Sequence, residues 1–230
     1  SLAFGETHGG LIGSLGHAGL ADLVSSTHGS VPSLAFCAFQ MMFAIITPAL
    51  ISGAFAERMR FSAYLLFIVL WSVLVYIPVA HWVWADEGWL LKLGALDFAG
   101  GTVVHLTAGA SALVCSLMVG KRLKYPQERP LPHNLTMTLT GAGILWFGWF
   151  GFNPGSALGF TGGFRDLAVI AAINTLLAGA MGGISAMFYM WWFGPTKKPD
   201  PAMSVNGVLA GLVAITAPCA FVDTWAALVI

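Results

Sequence analysis

Six apolar stretches constrain this chain more than any other feature in it. They run over 33–54, 62–84, 98–120, 134–153, 167–193 and 203–222. A helix needs about 20 apolar residues to cross a hydrocarbon core of ~30 Å, and lipid offers no water to an irregular backbone. Each stretch is therefore expected to be a transmembrane helix. Composition agrees, with 57% hydrophobic residues, 9% charged residues and a mean hydropathy of +0.81, where soluble domains carry about a quarter charged residues. The expected fold class is an all-α polytopic membrane protein.

The charge pattern narrows the partners and sets an orientation. Formal net charge is zero and no basic run is dense enough to follow a phosphate backbone, which excludes nucleic acid. Residues 1–30 are rich in Gly, Ser and His, hold no Lys or Arg, and read as an exposed extramembrane loop. Basic residues fall in alternate loops: Arg58 and Arg60 after the first span, Lys121, Arg122, Lys124 and Arg129 after the third, Lys197 and Lys198 after the fifth. The intervening loops hold only Lys92 and Arg165. Eight against two assigns the first set to the cytoplasm, and the N-terminal loop to the outside. Glu6, Asp22, Asp86, Glu87 and Asp166 fall mainly on that outer side, most simply as a solvated loop surface. The sequon at Asn134 then faces inward and is expected to be unused.

Three cysteines, Cys37, Cys115 and Cys219, lie within apolar runs and form no CxxC pair, so they say little about redox compartment. The chain begins at Ser1 without a signal peptide and stops inside the apolar "WAALVI", so it is expected to be a fragment of a longer membrane protein.

Polar residues inside apolar spans carry the functional signal. Asp97 stands just before the third span and suits an N-cap. His105 follows eight residues later, about 12 Å deeper on an α-helical rise. An ionisable group at that depth usually faces a partner or a water-filled path, although a neutral imidazole bonded to a neighbouring helix is the simpler account. In the first span Phe36, Gln40, Phe43 and Thr47 share one helical face, which turns Gln40 toward the bundle and allows Phe43 to line a cavity. Phenylalanines in spans nevertheless meet lipid more often than not. His81, Trp82 and Trp84 read first as an aromatic belt at the outer boundary, and second as faces that attract a cation. Asn153, Pro154 and Gly155 are expected to break the fourth helix, with Phe152 and Ser156 beside the break. Small residues at helix-packing spacing, Gly179 with Gly183, Gly207 with Gly211, and Gly101, Ala108 and Ala112 around His105, predict a tight bundle. An intramembrane serine hydrolase using His105 with Ser111 or Ser156 is disfavoured, because no nucleophile turn of the GxSG type is present.

Several motifs, in order along nearly the whole chain, resemble the ammonium transporter family that includes the Rh proteins. They are "FQMMFAIITPALISGAFAERMRFSA", "YIPVAHWVW", "GALDFAGGTVVH", "VGKR", "PHNL" and "GWFGFNPGS". The resemblance implies a partial ammonium-transporter fold, the full family fold being an eleven-helix inverted repeat. Residues 1–230 would run as one membrane domain from the loop before the third helix to the start of the ninth. It implies a homotrimer in the cell membrane, with one pore per subunit and a possible PII-type regulator on the cytoplasmic side. No cofactor, metal or enzymatic activity is implied. Carried over by motif, Phe43, Trp84 and Ser156 resemble the outer ammonium-recruitment site, and Phe43 with Phe152 the stacked gate below it. Asp97 resembles the buried aspartate that supports ammonium binding and deprotonation, and His105 the first of two pore histidines. Pro154 and the Met41–Met42 pair depart from the family pattern, and the methionines are expected to narrow the vestibule. The alternative function is an ammonium sensor, the same membrane domain joined to a signalling module.

Overall fold

The computed structural model describes residues 1–123, 125–128 and 131–230. Lys124 and Arg129, two of the charges used for orientation, lie outside the described residues. Five segments are long and apolar enough to cross a membrane: Ser33–Ala54, Phe61–Lys92, Gly101–Val119, Leu135–Ala157 and Phe164–Trp192. Pro201–Thr216 is a shorter apolar helix. The chain divides into two compact units, Ser1–Glu128 and Arg129–Ile230.

The first unit opens with two small antiparallel hairpins where the sequence predicts only a loop. Strands β1 (Thr7–His8) and β2 (Ile12–Gly13) pair with each other, as do β3 (Thr27–His28) and β4 (Val31–Pro32). Their two-residue strands fall below any alternation that a sequence pattern could reveal. Helix α1 (Ser33–Ile51) follows, then α2 (Phe61–Trp71) and α3 (Ile77–Trp84), joined by a π-helical turn over Ser72–Tyr76. Pro78 supplies the reason for the wide turn: its ring crowds the carbonyl four residues back and it has no N–H to close an α turn. The short α4 (Trp89–Lys92) leads to a loop, a second π turn over Gly101–Leu106, and α5 (Thr107–Val119). At the far end of α1, the Arg58 guanidinium donates to the carbonyls of Ala54 and Gly120, which ties the α1–α2 loop to the end of α5.

The second unit consists of α6 (Leu135–Phe152), α7 (Phe164–Trp192), α8 (Pro201–Thr216) and the single turn α9 (Thr224–Ala227). Asn134 caps α6, its Oδ1 accepting from the Met137 N–H at 3.0 Å, and Asp200 caps α8 by accepting from Ala202 and Met203. The sequon asparagine thus has a structural role. Helices α7 and α8 meet backbone to backbone. A Cβ on Gly211 would stand 2.1 Å from the Ala178 carbonyl oxygen, and one on Gly182 would stand 2.2 Å from that of Gly207. The predicted pair Gly207 and Gly211 makes this contact; on α7 Gly182 meets Gly207, and Ala178 with the predicted Gly179 meets Gly211. Gly179 and Gly183 also leave room for the side chains of Leu212 and Val208.

Candidate functional site

In the first unit Phe43, Trp84, Asp97 and His105 come from α1, α3 and the loop and π turn before α5. Phe43 is only 2% exposed, so its expected contact with lipid does not occur. The shared face with Gln40 and Thr47 is the correct guide: Thr47 is buried as well, and its hydroxyl donates to the Phe43 carbonyl at 2.6 Å. The Phe43 and Trp84 rings meet edge to face, 5.5 Å between centroids at 85°. Phe39 adds a second edge contact to Phe43 at 4.9 Å. Met41 and Met42 are about half exposed and sit at helical positions off the buried face.

Trp84 is fixed from two further directions. Its Nε1–H donates to the Asp97 carbonyl at 2.9 Å, and its ring lies against Gly100, where a Cβ would stand 3.3 Å from the indole. Gly100 also has a φ of 106°, a left-handed conformation that L side chains rarely adopt. Both requirements select glycine at this position.

Asp97 caps the helix from three residues further back than the sequence predicts, Gly100 being the N-cap. The carboxylate folds forward: Oδ1 accepts from Gly100 N–H at 2.8 Å, and Oδ2 accepts from Thr102 and Val103 N–H at 2.9 Å each. Three donors of the first turn are thereby satisfied by one side chain. Burial raises the Asp97 pKa above its ordinary value, and the N–H groups of Val103, Thr102, Gly100 and Gly101 partly oppose that rise.

His105 sits on the π turn that Asp97 initiates, its N–H bonded to the Gly100 carbonyl at 3.1 Å. It is buried, beside the equally buried Val103 and Val104, on a turn that lies against α1 and α3. Because Phe98 to Gly100 are not helical, His105 lies only four residues inside the helix. The unbroken helical rise expected from Asp97 is absent; the helical part of it, Gly101 to His105, accounts for about 6 Å.

His81 and Trp82 do not form a simple belt. His81 is fully buried, Nδ1 at 2.8 Å from the Ala3 carbonyl and Nε2 at 3.0 Å from the Thr7 hydroxyl. Trp82 Nε1–H donates to the Leu11 carbonyl at 2.8 Å. Ser111, the rival nucleophile, accepts from Trp71 Nε1–H at 2.8 Å. Among the described residues, no group of three His, Cys, Asp or Glu side chains is placed to hold a metal ion.

In the second unit Phe152 ends α6, and Ser156 lies in a 3₁₀ turn over Pro154–Ala157 that continues directly from it. Pro154 therefore tightens the helix where the sequence predicts a break. The Ser156 hydroxyl donates to the Phe152 carbonyl at 2.7 Å, which spends its only proton and leaves the oxygen lone pairs as acceptors. Trp149 stacks on Phe152 with 5.3 Å between centroids. Asn153 and Trp149 fasten this end of α6: Asn153 Nδ2–H donates to Thr175 Oγ1 at 2.9 Å, and Trp149 Nε1–H to Thr216 Oγ1 at 3.0 Å. The sequence signal for Thr175 and Thr216 is a lone hydroxyl within an otherwise apolar helix, and only the structure shows them buried.

The sequence profile of the Ammonium Transporter Family matches residues 1–230, the whole chain. The chain belongs to that family. It is 48% identical to an ammonium transporter of Bacillus subtilis (strain 168), a match covering 100% of this chain and 55% of that protein. It is 44% identical to ammonium transporter Amt1 of Archaeoglobus fulgidus, with the same two shares. Among solved structures, Saccharomyces cerevisiae Mep2 aligns with a TM-score of 0.89 at 40% identity, over 100% of this chain and 52% of that one. A structure described as a sensor Amt protein aligns with a TM-score of 0.88 at 34% identity, over 99% of this chain and 57% of that one. This ammonium-transporter chain thus spans about half the length of the curated relatives it matches and adopts part of the family fold. The family is one of multi-pass membrane transporters, not of enzymes.

Proposed function

We propose that the protein containing this chain carries ammonium or ammonia across the cell membrane, with the N-terminal loop of this chain outside. The observation that carries the reading is the edge-to-face pair of Phe43 and Trp84, held over a loop whose carboxylate is turned inward. Ammonium is close to potassium in charge and size, so selection must rest on what potassium lacks: N–H donors and a removable proton. Aromatic faces favour a cation that is shedding water, by up to ~2 kcal/mol when desolvated. A Ser156 oxygen stripped of its own donor favours N–H groups in particular. We assign recruitment to Phe43, Trp84 and Ser156, site support and deprotonation to Asp97, gating to Phe43 and Phe152, and the pore to His105. An apolar pore then penalises a bare cation far more than neutral ammonia. Assembly as a homotrimer and control by a PII-type protein on the cytoplasmic side belong to the same proposal.

The test is solid-supported-membrane electrophysiology of the full-length protein in liposomes, with pulses of ammonium, methylammonium and potassium. Current with ammonium and none with potassium is the expected result; uptake without current indicates neutral ammonia. Trp84→Leu is expected to raise the KM for ammonium about tenfold, from the lost cation–π contact. His105→Ala is expected to abolish selective transport, and selective transport at the normal rate would remove His105 from the mechanism. The likeness to a sensor Amt protein supports a second reading, ammonium sensing. A signalling module in the full-length sequence, together with no ammonium flux, would favour it.

A further inference from the structure

We propose that the outer N-terminal segment is a strap that positions Trp84, with His81 and Thr7 as positioning residues for ammonium recruitment. The inference rests on the recruitment role assigned to Trp84 above. The Ala3 carbonyl can only accept, so His81 Nδ1 must carry a hydrogen, and in the neutral ring Nε2 is then the acceptor for the Thr7 hydroxyl. Thr7 Oγ1 accepts in turn from the Gly10 N–H at 3.1 Å, at the tip of the first hairpin. Both ring nitrogens of a fully buried histidine are thus committed to one segment of chain.

That segment is fastened to both helices that carry the aromatic pair. On α3, His81 and Trp84 are three residues apart and share a face, and the neighbouring Trp82 adds its bond to Leu11. On α1, Phe4 meets Phe36 edge to face at 5.3 Å, and His28 stacks on the same ring at 3.9 Å. Phe36 lies two turns before Phe43 on the face they share. The strap also forms one wall of a cavity of about 200 Å³, lined by Phe4, Thr7, His28 and His81, in which Trp84 forms another wall. Thr7 and His81 therefore govern how the Trp84 indole is held toward Phe43 without needing to touch the transported species.

The experiment uses the full-length protein in proteoliposomes and reads KM and maximal rate for ammonium separately. Thr7→Val keeps the shape and removes the hydroxyl; His81→Asn keeps a donor near Nδ1 and gives up the bond to Thr7. Both are expected to raise KM about fivefold, the worth of one hydrogen bond, with the maximal rate within about twofold of wild type; Thr7→Ser is expected to retain the wild-type KM. A Thr7→Val protein with unchanged KM, or one losing only maximal rate, would overturn the proposal. A second readout is independent of flux: ¹⁹F NMR of protein labelled with fluorotryptophan, the Trp84 resonance being assigned by Trp84→Phe. Thr7→Val is expected to shift that resonance and Thr7→Ser to restore it; an unmoved resonance overturns the strap. A wild-type protein that moves no ammonium would overturn the transport reading, while the ¹⁹F result would still decide the strap.

Discussion

Asp97 gives three backbone donors their acceptor through two oxygens, and its substitutions should rank accordingly. Asn keeps one oxygen and Ala none, so thermal unfolding of the full-length protein in detergent should place wild type above Asp97→Asn and Asp97→Ala lowest. The alanine variant should lose at least about 1–3 kcal/mol, the cost of leaving a buried donor unpaired. The raised pKa works in the other direction on charge. The stability linked to this group is full below the ordinary carboxylate range and is lost as pH rises through the raised value, a slope that Asp97→Asn should lack. The sequence made Asp97 legible as a helix-entrance residue but misplaced the cap. Phe98, Ala99 and Gly100 have the hydropathy of a helix, and nothing in a hydropathy pattern signals the left-handed turn at Gly100. Phe43 was legible for a different reason: the periodicity it shares with Gln40 and Thr47 outweighs the general habit of phenylalanine in spans.

At the scale of elements, the α7–α8 contact is where a small change should do most damage. A Gly211→Ala Cβ would fall 2.1 Å from the Ala178 carbonyl oxygen, which no rotamer can relieve. Gly211→Ala should therefore lower the unfolding temperature more than Gly109→Ala, whose Cβ meets nothing within 4 Å. Glycine spacing reveals that these helices pack closely and finds Gly179, Gly183, Gly207 and Gly211 at the contact, but passes over Gly182. Spacing fixes a helical stripe only to within one residue, and register is decided by the partner helix. Asn134 offers a milder test: Asn134→Ala removes a cap, worth about 1 kcal/mol, and should fray the start of α6 while leaving its core intact. The two π turns were not legible, because they conserve the apolar pattern and alter only how the backbone bonds within it.

At the scale of the molecule, orientation rests on loop charge and can be tested directly. In a cysteine-free background of the full-length protein, His17→Cys should react with a membrane-impermeant maleimide added outside, and Gln127→Cys only after the inner face is opened. Both positions are exposed. The reverse labelling, Gln127→Cys from outside and His17→Cys only from inside, would invert the topology and with it the proposed direction of ammonium recruitment. The seam between α7 and α8 has a mechanical consequence as well. Where carbonyl meets Cα with no side chain between, there is no rotamer to yield and no layer to compress. The pair should transmit a push as one stiff plate, so that any strain accompanying the proposed transport gathers at its margins, in the Gly194 to Asp200 connection and in the residues beyond Thr216.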